Sequence, residues 1–107
     1  RRAARAQGLA CDVHADSAER ALERLVQQGR DFDLVIVDAP RAGARAILAS
    51  LLGLRPAHVL VCSCNPHSFA RDVAALCRAG YGIESLCAFD MFPHTAHLEV
   101  VARLVAQ

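Results

Sequence analysis

Short apolar runs of strand length alternate along this chain with segments whose apolar residues recur at helical spacing. That alternation constrains the fold more than any other feature. Phe32 to Val37 is apolar except for Asp33 and stops at Asp38, and Val59 to Cys62 is a second such run. Between them, residues 44–53 place Ile47, Leu48, Leu51 and Leu52 on one helical face; after them, residues 67–79 do the same with Phe69, Val73, Leu76 and Cys77, and Gly80 is the stop. An earlier helix is predicted to start at Asp16 or Ser17, either of which can cap it, and to end at Gly29, with Ala21, Leu22, Leu25 and Val26 as its stripe. Residues 10–14, 81–89 and 98–105 read as further strands. Strand, helix, strand, helix, strand predicts an α/β fold with a parallel sheet and crossover helices. Only residues 90–97 join the last two strands, too few for a crossover helix, so that pair is predicted antiparallel.

Composition narrows the class. Hydrophobic residues make up 54% of the chain and charged residues 21%, which supports one packed domain and excludes a disordered chain. A net charge of +1 makes no electrostatic case for nucleic acid by itself. Arginine supplies all twelve basic residues. No apolar run reaches the roughly 18 residues of a membrane span. Five cysteines (Cys11, Cys62, Cys64, Cys77 and Cys87) make no disulfide framework, so a reducing, cytoplasmic compartment is expected. The opening Arg1-Arg2-Ala3-Ala4-Arg5, without an initiator Met, reads as the end of a helix closed by Gly8, hence as part of a longer protein.

Three stretches carry chemistry: Asp38-Ala39-Pro40-Arg41, Ser63-Cys64-Asn65-Pro66 and His94-Thr95-Ala96-His97-Leu98-Glu99. Each lies where a strand meets a loop, which is where open α/β sheets gather reactive groups. Cys64 follows a buried strand and precedes a proline that forces a turn, near the start of a helix, whose N-terminus stabilises a thiolate. Asp38 ends its strand in the same way and either faces a ligand crevice or caps a helix; Arg41 is placed to hold it. Glu99 stands in an apolar strand, either as an exposed edge residue or as a buried carboxylate with a function. Cys11, Cys77 and Cys87 read as packing. Cys62 and Cys64 are too close together to make a metal pair, and His94 with His97 lacks a third ligand, so no metal site is assigned.

Together these residues resemble the RNA uridine C5-methyltransferases. The matching segments are Asp38-Ala39-Pro40-Arg41-Ala42-Gly43, Ser63-Cys64-Asn65-Pro66 and Asp90-Met91-Phe92-Pro93-His94-Thr95-Ala96-His97-Leu98-Glu99, with 26 residues from Asp38 to Cys64 and 35 from Cys64 to Glu99. The chain departs from the family pattern at Ala39, Val61 and Ser68, and Ser68 is expected to cap the following helix. The resemblance implies a Rossmann-like S-adenosylmethionine-dependent methyltransferase fold, with residues 1–107 as the C-terminal portion of the catalytic domain. The first strands and the N-terminal RNA-binding domain would lie outside it. It implies Cys64 as the nucleophile on uracil C6 and Glu99 as the base at C5. Asp38, Arg41 and Asn65 would bind substrate, and Asp16 and Asp38 would contact S-adenosylmethionine. The substrate implied is RNA, a ribosomal rather than a transfer RNA, flipped or unpaired at the target uridine. The isolated chain is expected not to methylate RNA. Two other readings stand beside this one: a cysteine hydrolase or acyltransferase using Cys64 with His94 or His97, and a non-catalytic α/β fragment.

Overall fold

The computed structural model describes residues 8, 10–90 and 98–107. The expectations for the opening arginines and for His94 and His97 lie outside the described residues.

The first helix, α1 (Ala18–Gln27), is capped by Ser17, whose Oγ accepts the Arg20 N–H at 3.2 Å. Asp16 accepts the Ser17 N–H, and Gly29 leaves the helix at φ +68°. Strand β1 (Leu34–Asp38) is followed by a 3-10 turn (Arg45–Ile47) that runs into α2 (Leu48–Gly53). Then come β2 (His58–Ser63), α3 (Pro66–Arg78), β3 (Tyr81–Phe89) and β4 (Glu99–Ala106). The sheet order is β1-β2-β4-β3. β1 and β2 are parallel, and β4 lies between β2 and β3, antiparallel to both. Glu99 is therefore in an interior strand of this sheet, not at an edge.

The pleat divides the side chains into two sets. Val35 and Val37, Val59, Val61 and Ser63, and Val100, Ala102 and Leu104 share one face through the cross-strand register. Leu51 of α2 and Phe69, Val73 and Leu76 of α3 close over that face and complete the core. The other face carries Leu34, Ile36 and Asp38, then His58, Leu60 and Cys62, then Glu99, Val101, Arg103 and Val105. Leu34 and Ile36 stay 50% and 62% exposed there. An apolar run of this kind predicts a strand buried on both sides, but among the described residues only one side of β1 is covered.

Residues 10–14 form no strand. A strand requires a neighbour to supply ladder hydrogen bonds, and β1 ends the described sheet on that side.

Candidate functional site

The site is built at the carboxyl ends of β1 and β2. Ser63 is fully buried, and its Oγ accepts the Asn65 N–H at 3.0 Å and reaches the Asn65 carbonyl at 3.2 Å. With Ser63 and Asn65 tied to each other, Cys64 is left at the apex of the bend, exposed to solvent. Asn65 then caps α3: its Oδ1 accepts the His67 N–H at 3.1 Å, and Pro66 occupies the first helical turn, where a missing N–H costs nothing.

The loop after β1 is strapped to α3. Asn65 Nδ2 and Ser68 Oγ both donate to the Arg41 carbonyl, at 2.9 and 3.0 Å. Arg71 donates to the Ala42 carbonyl at 2.8 Å, and Asp72 accepts the Ala44 N–H at 2.6 Å. Ser68 thus serves the loop, and the cap expected of it belongs to Asn65. The loop needs Arg41 for its carbonyl, while the Arg41 side chain is exposed. No ion pair between Arg41 and Asp38 occurs among the described residues. Gly43 sits at φ +94°, where an added Cβ would stand 2.6 Å from Arg71 Nη2 and 2.8 Å from Asp72 Oδ2.

Register brings the three chemistry-bearing strands together. Asp38 pairs with Cys62, and the Ala39 N–H donates to the Cys62 carbonyl at 2.9 Å. Ser63 pairs with Val100, so one further step along the same antiparallel register sets Glu99 opposite Cys64. Glu99 is half-buried and also pairs with Phe89 of β3. Burial pushes the Cys62 thiol above its ordinary value, and the charges of Asp38 and then Glu99 raise it further.

Next to Asp38 lies a cavity of about 430 Å³ between α1, β1 and the 43–47 segment. Its walls include Ala18, Ala21 and Leu22 on one side and Val35 and Val37 on the other, with Glu19 and Asp38 as the charged groups. Asp16 does not line it: its carboxylate pairs with Arg24 at 3.3 Å, two residues before the wall begins at Ala18.

In the sequence, Cys62 was weighed only as a strand residue and a metal ligand, and no role was given to Arg71 or Asp72. The polar spacing 65, 68, 72 down one side of α3 was the available signal, since an apolar stripe leaves no reason for a buried aspartate among its turns. Of the cysteines read as packing, Cys77 lies half-buried against the core, while Cys11 and Cys87 are exposed. Packing fails for those two because Cys11 precedes α1 on an exposed segment and Cys87 lies in the exposed half of β3. Among the described residues no group of three or more His, Cys, Asp or Glu side chains could hold a metal.

A family profile described as tRNA (Uracil-5-)-methyltransferase matches residues 9–106. An uncharacterized RNA methyltransferase of Bacillus cereus (strain ATCC 10987 / NRS 248) is 45% identical over 92 residues, which is 85% of this chain and 20% of that protein. The 23S rRNA (uracil(1939)-C(5))-methyltransferase RlmD of Edwardsiella ictaluri (strain 93-146) is 38% identical over 100 residues, 92% of this chain and 23% of that one. The chain thus spans about a fifth of the length of these curated relatives. Among solved structures, M1.HpyAVI superposes with a TM-score of 0.66 at 18% identity, covering 89% of this chain and 54% of that one. The M1.HpyAVI–SAM complex gives 0.65 at 16% identity.

Proposed function

The chain belongs to the tRNA (uracil-5-)-methyltransferase family, and on that premise we propose that it is the catalytic C-terminal portion of an enzyme that methylates uridine C5 in RNA. Its α/β sheet, closed by antiparallel β4, is the methyltransferase fold that the resemblance implied. One observation carries the assignment: Asp38, Cys64 and Glu99 stand at one end of three neighbouring strands, with the thiol at an exposed bend between the two carboxylates.

The chemistry follows from that arrangement. C5 of uracil is a weak nucleophile. Cys64 adds as thiolate to C6, and the C5–C6 electron pair moves toward C5 and O4, which activates C5. S-adenosylmethionine, when bound, supplies the methyl group that C5 takes. Glu99 then accepts the C5 proton, the double bond re-forms and Cys64 leaves as thiolate. Asp38 accepts the N3–H of uracil, a contact that cytosine lacks. Arg41 and Asn65 would contact the substrate, with Asn65 also holding the Arg41 backbone.

The cavity beside Asp38 suits the methyl donor in type: an apolar slot for a planar ring, with carboxylates for a sulfonium cation. Asp38 would border it at the end of β1, with Asp16 just beyond the wall. The 23S rRNA in the name of the Edwardsiella relative favours a ribosomal substrate, and a cytoplasmic location is proposed from the cysteine usage alone. This chain by itself is proposed to be inactive.

The test joins the chain to the regions its relatives have beyond the match and offers RNA containing 5-fluorouridine, which has no C5 proton to lose. A covalent RNA adduct that requires S-adenosylmethionine and disappears in Cys64→Ser is expected. Labelling of Cys64 by an acyl probe without any RNA adduct would turn the assignment toward a hydrolase.

A further inference from the structure

Cys62 occupies a position the reaction has not yet used. Its strand, β2, runs between β1 and β4. It pairs with Asp38 on one side and with Val101 on the other, two residues from Glu99 on the same sheet face. Neighbouring strands lie about 4.8 Å apart, so the two carboxylates rise from strands about 10 Å apart with residue 62 between them. Cys62 is half-buried while Cys64 is exposed. Burial first, and then the charges of Asp38 and Glu99, push the Cys62 thiol above its ordinary value, in keeping with that register. The other groups facing it are Cys64 and His58 on its own strand, Arg103 on β4, and Cys87 beyond Val101 on β3. Arg103 is engaged with Glu84 at 3.0 Å.

We propose that Cys62 is a positioning residue that spaces Asp38 from Glu99 and fixes where the Glu99 carboxylate stands against the target ring. This rests on the uridine-methylation reading of the same site. A second thiolate two residues from the nucleophile would compete for the same electrophiles. A neutral thiol does not, and two flanking anions keep it neutral. A change at position 62 therefore acts on the proton-removing half of the reaction and leaves the addition by Cys64 in place.

Two measurements test this. In the longer polypeptide described above, alkylation by iodoacetamide at pH 8 is followed by peptide mass spectrometry, with an added thiol peptide as reference. Asp38→Asn and Glu99→Gln are each expected to speed modification of Cys62 by roughly twofold or more, since each removes a charge that disfavours the thiolate. If either variant fails to do so, the placement between the carboxylates is wrong. In the longer polypeptide, Cys62→Val is expected to capture 5-fluorouridine RNA within about twofold of the parent but to lose on the order of tenfold in turnover on uridine RNA. Cys62→Ser, similar in size and polarity, restores turnover to within about threefold. Equal loss of capture and turnover in Cys62→Val, or no rescue by serine, overturns the proposal. If the parent itself captures no RNA, the methylation reading fails instead, and the alkylation result still decides the spacing.

Discussion

Gly43 concentrates the local demands of the site in one residue. Its φ of +94° is a conformation that side-chain-bearing residues avoid, and the space a Cβ would need is filled by Arg71 and Asp72. Both costs apply together. Gly43→Ala is expected to lower stability by about 2 kcal/mol, read as a fall in Tm of several degrees. A melting curve unchanged within a degree would show that the loop has another low-energy path. The segment Asp38-Ala39-Pro40-Arg41-Ala42-Gly43 was legible through its resemblance to the family pattern, and the structure supplies the reason for its glycine, which the helix packed against it requires. Cys64 was legible for a similar reason, because a strand end followed by Asn-Pro leaves its chain no way onward except a capped turn. The role of Ser68 was not legible, since a serine near a helix start is equally suited to capping it or to reaching another segment.

The important element is α3, which begins two residues beyond Cys64 and, with its cap, holds the loop after Asp38 through Asn65, Ser68, Arg71 and Asp72. The nucleophile and the carboxylate thereby share a support. Asp72 is 1% exposed; one oxygen holds the Ala44 N–H, while the other has no hydrogen-bond partner and lies 3.7 Å from Arg71 Nε. Asp72→Ala leaves a backbone donor unsatisfied beneath the loop and is expected to cost about 3 kcal/mol. Asp72→Asn keeps an acceptor and should cost less. Urea titrations of the two variants measure the difference; a larger loss for asparagine than for alanine would mean that the carboxylate charge matters more than the bond. The apolar stripe of α3 was readable from its spacing. The target of its polar residues was not, because they bond to a segment more than twenty residues earlier in the chain.

Across the whole molecule, stability should fall at alkaline pH for a reason visible in the packing. Tyr81, at the start of β3, donates its hydroxyl to the Pro56 carbonyl before β2, and burial pushes its phenol above 10.0. Cys62 is likewise pushed above 9.0 by burial, Asp38 and Glu99. Both groups have raised folded values, so their contribution is fully present below the unfolded values and is lost as pH rises through the folded ones. Unfolding free energy is therefore expected to decline from about pH 9 upward, and Tyr81→Phe should flatten the part of that decline above pH 10. A slope identical in wild type and Tyr81→Phe would place the alkaline sensitivity elsewhere. The amino-acid order alone determined the succession of helices and strands from Phe32 onward, the helix start at Asp16 or Ser17, the turn at Cys64 and the residue types suited to adding to a pyrimidine, because all of these depend on neighbours within about a turn. Only the tertiary structure decided that β4 enters between β2 and β3, that residues 10–14 have no ladder to join, and that Cys62 lies between two carboxylates. Strand order and register are set by which side chains pack across the sheet, and periodicity along the chain carries no record of that partner.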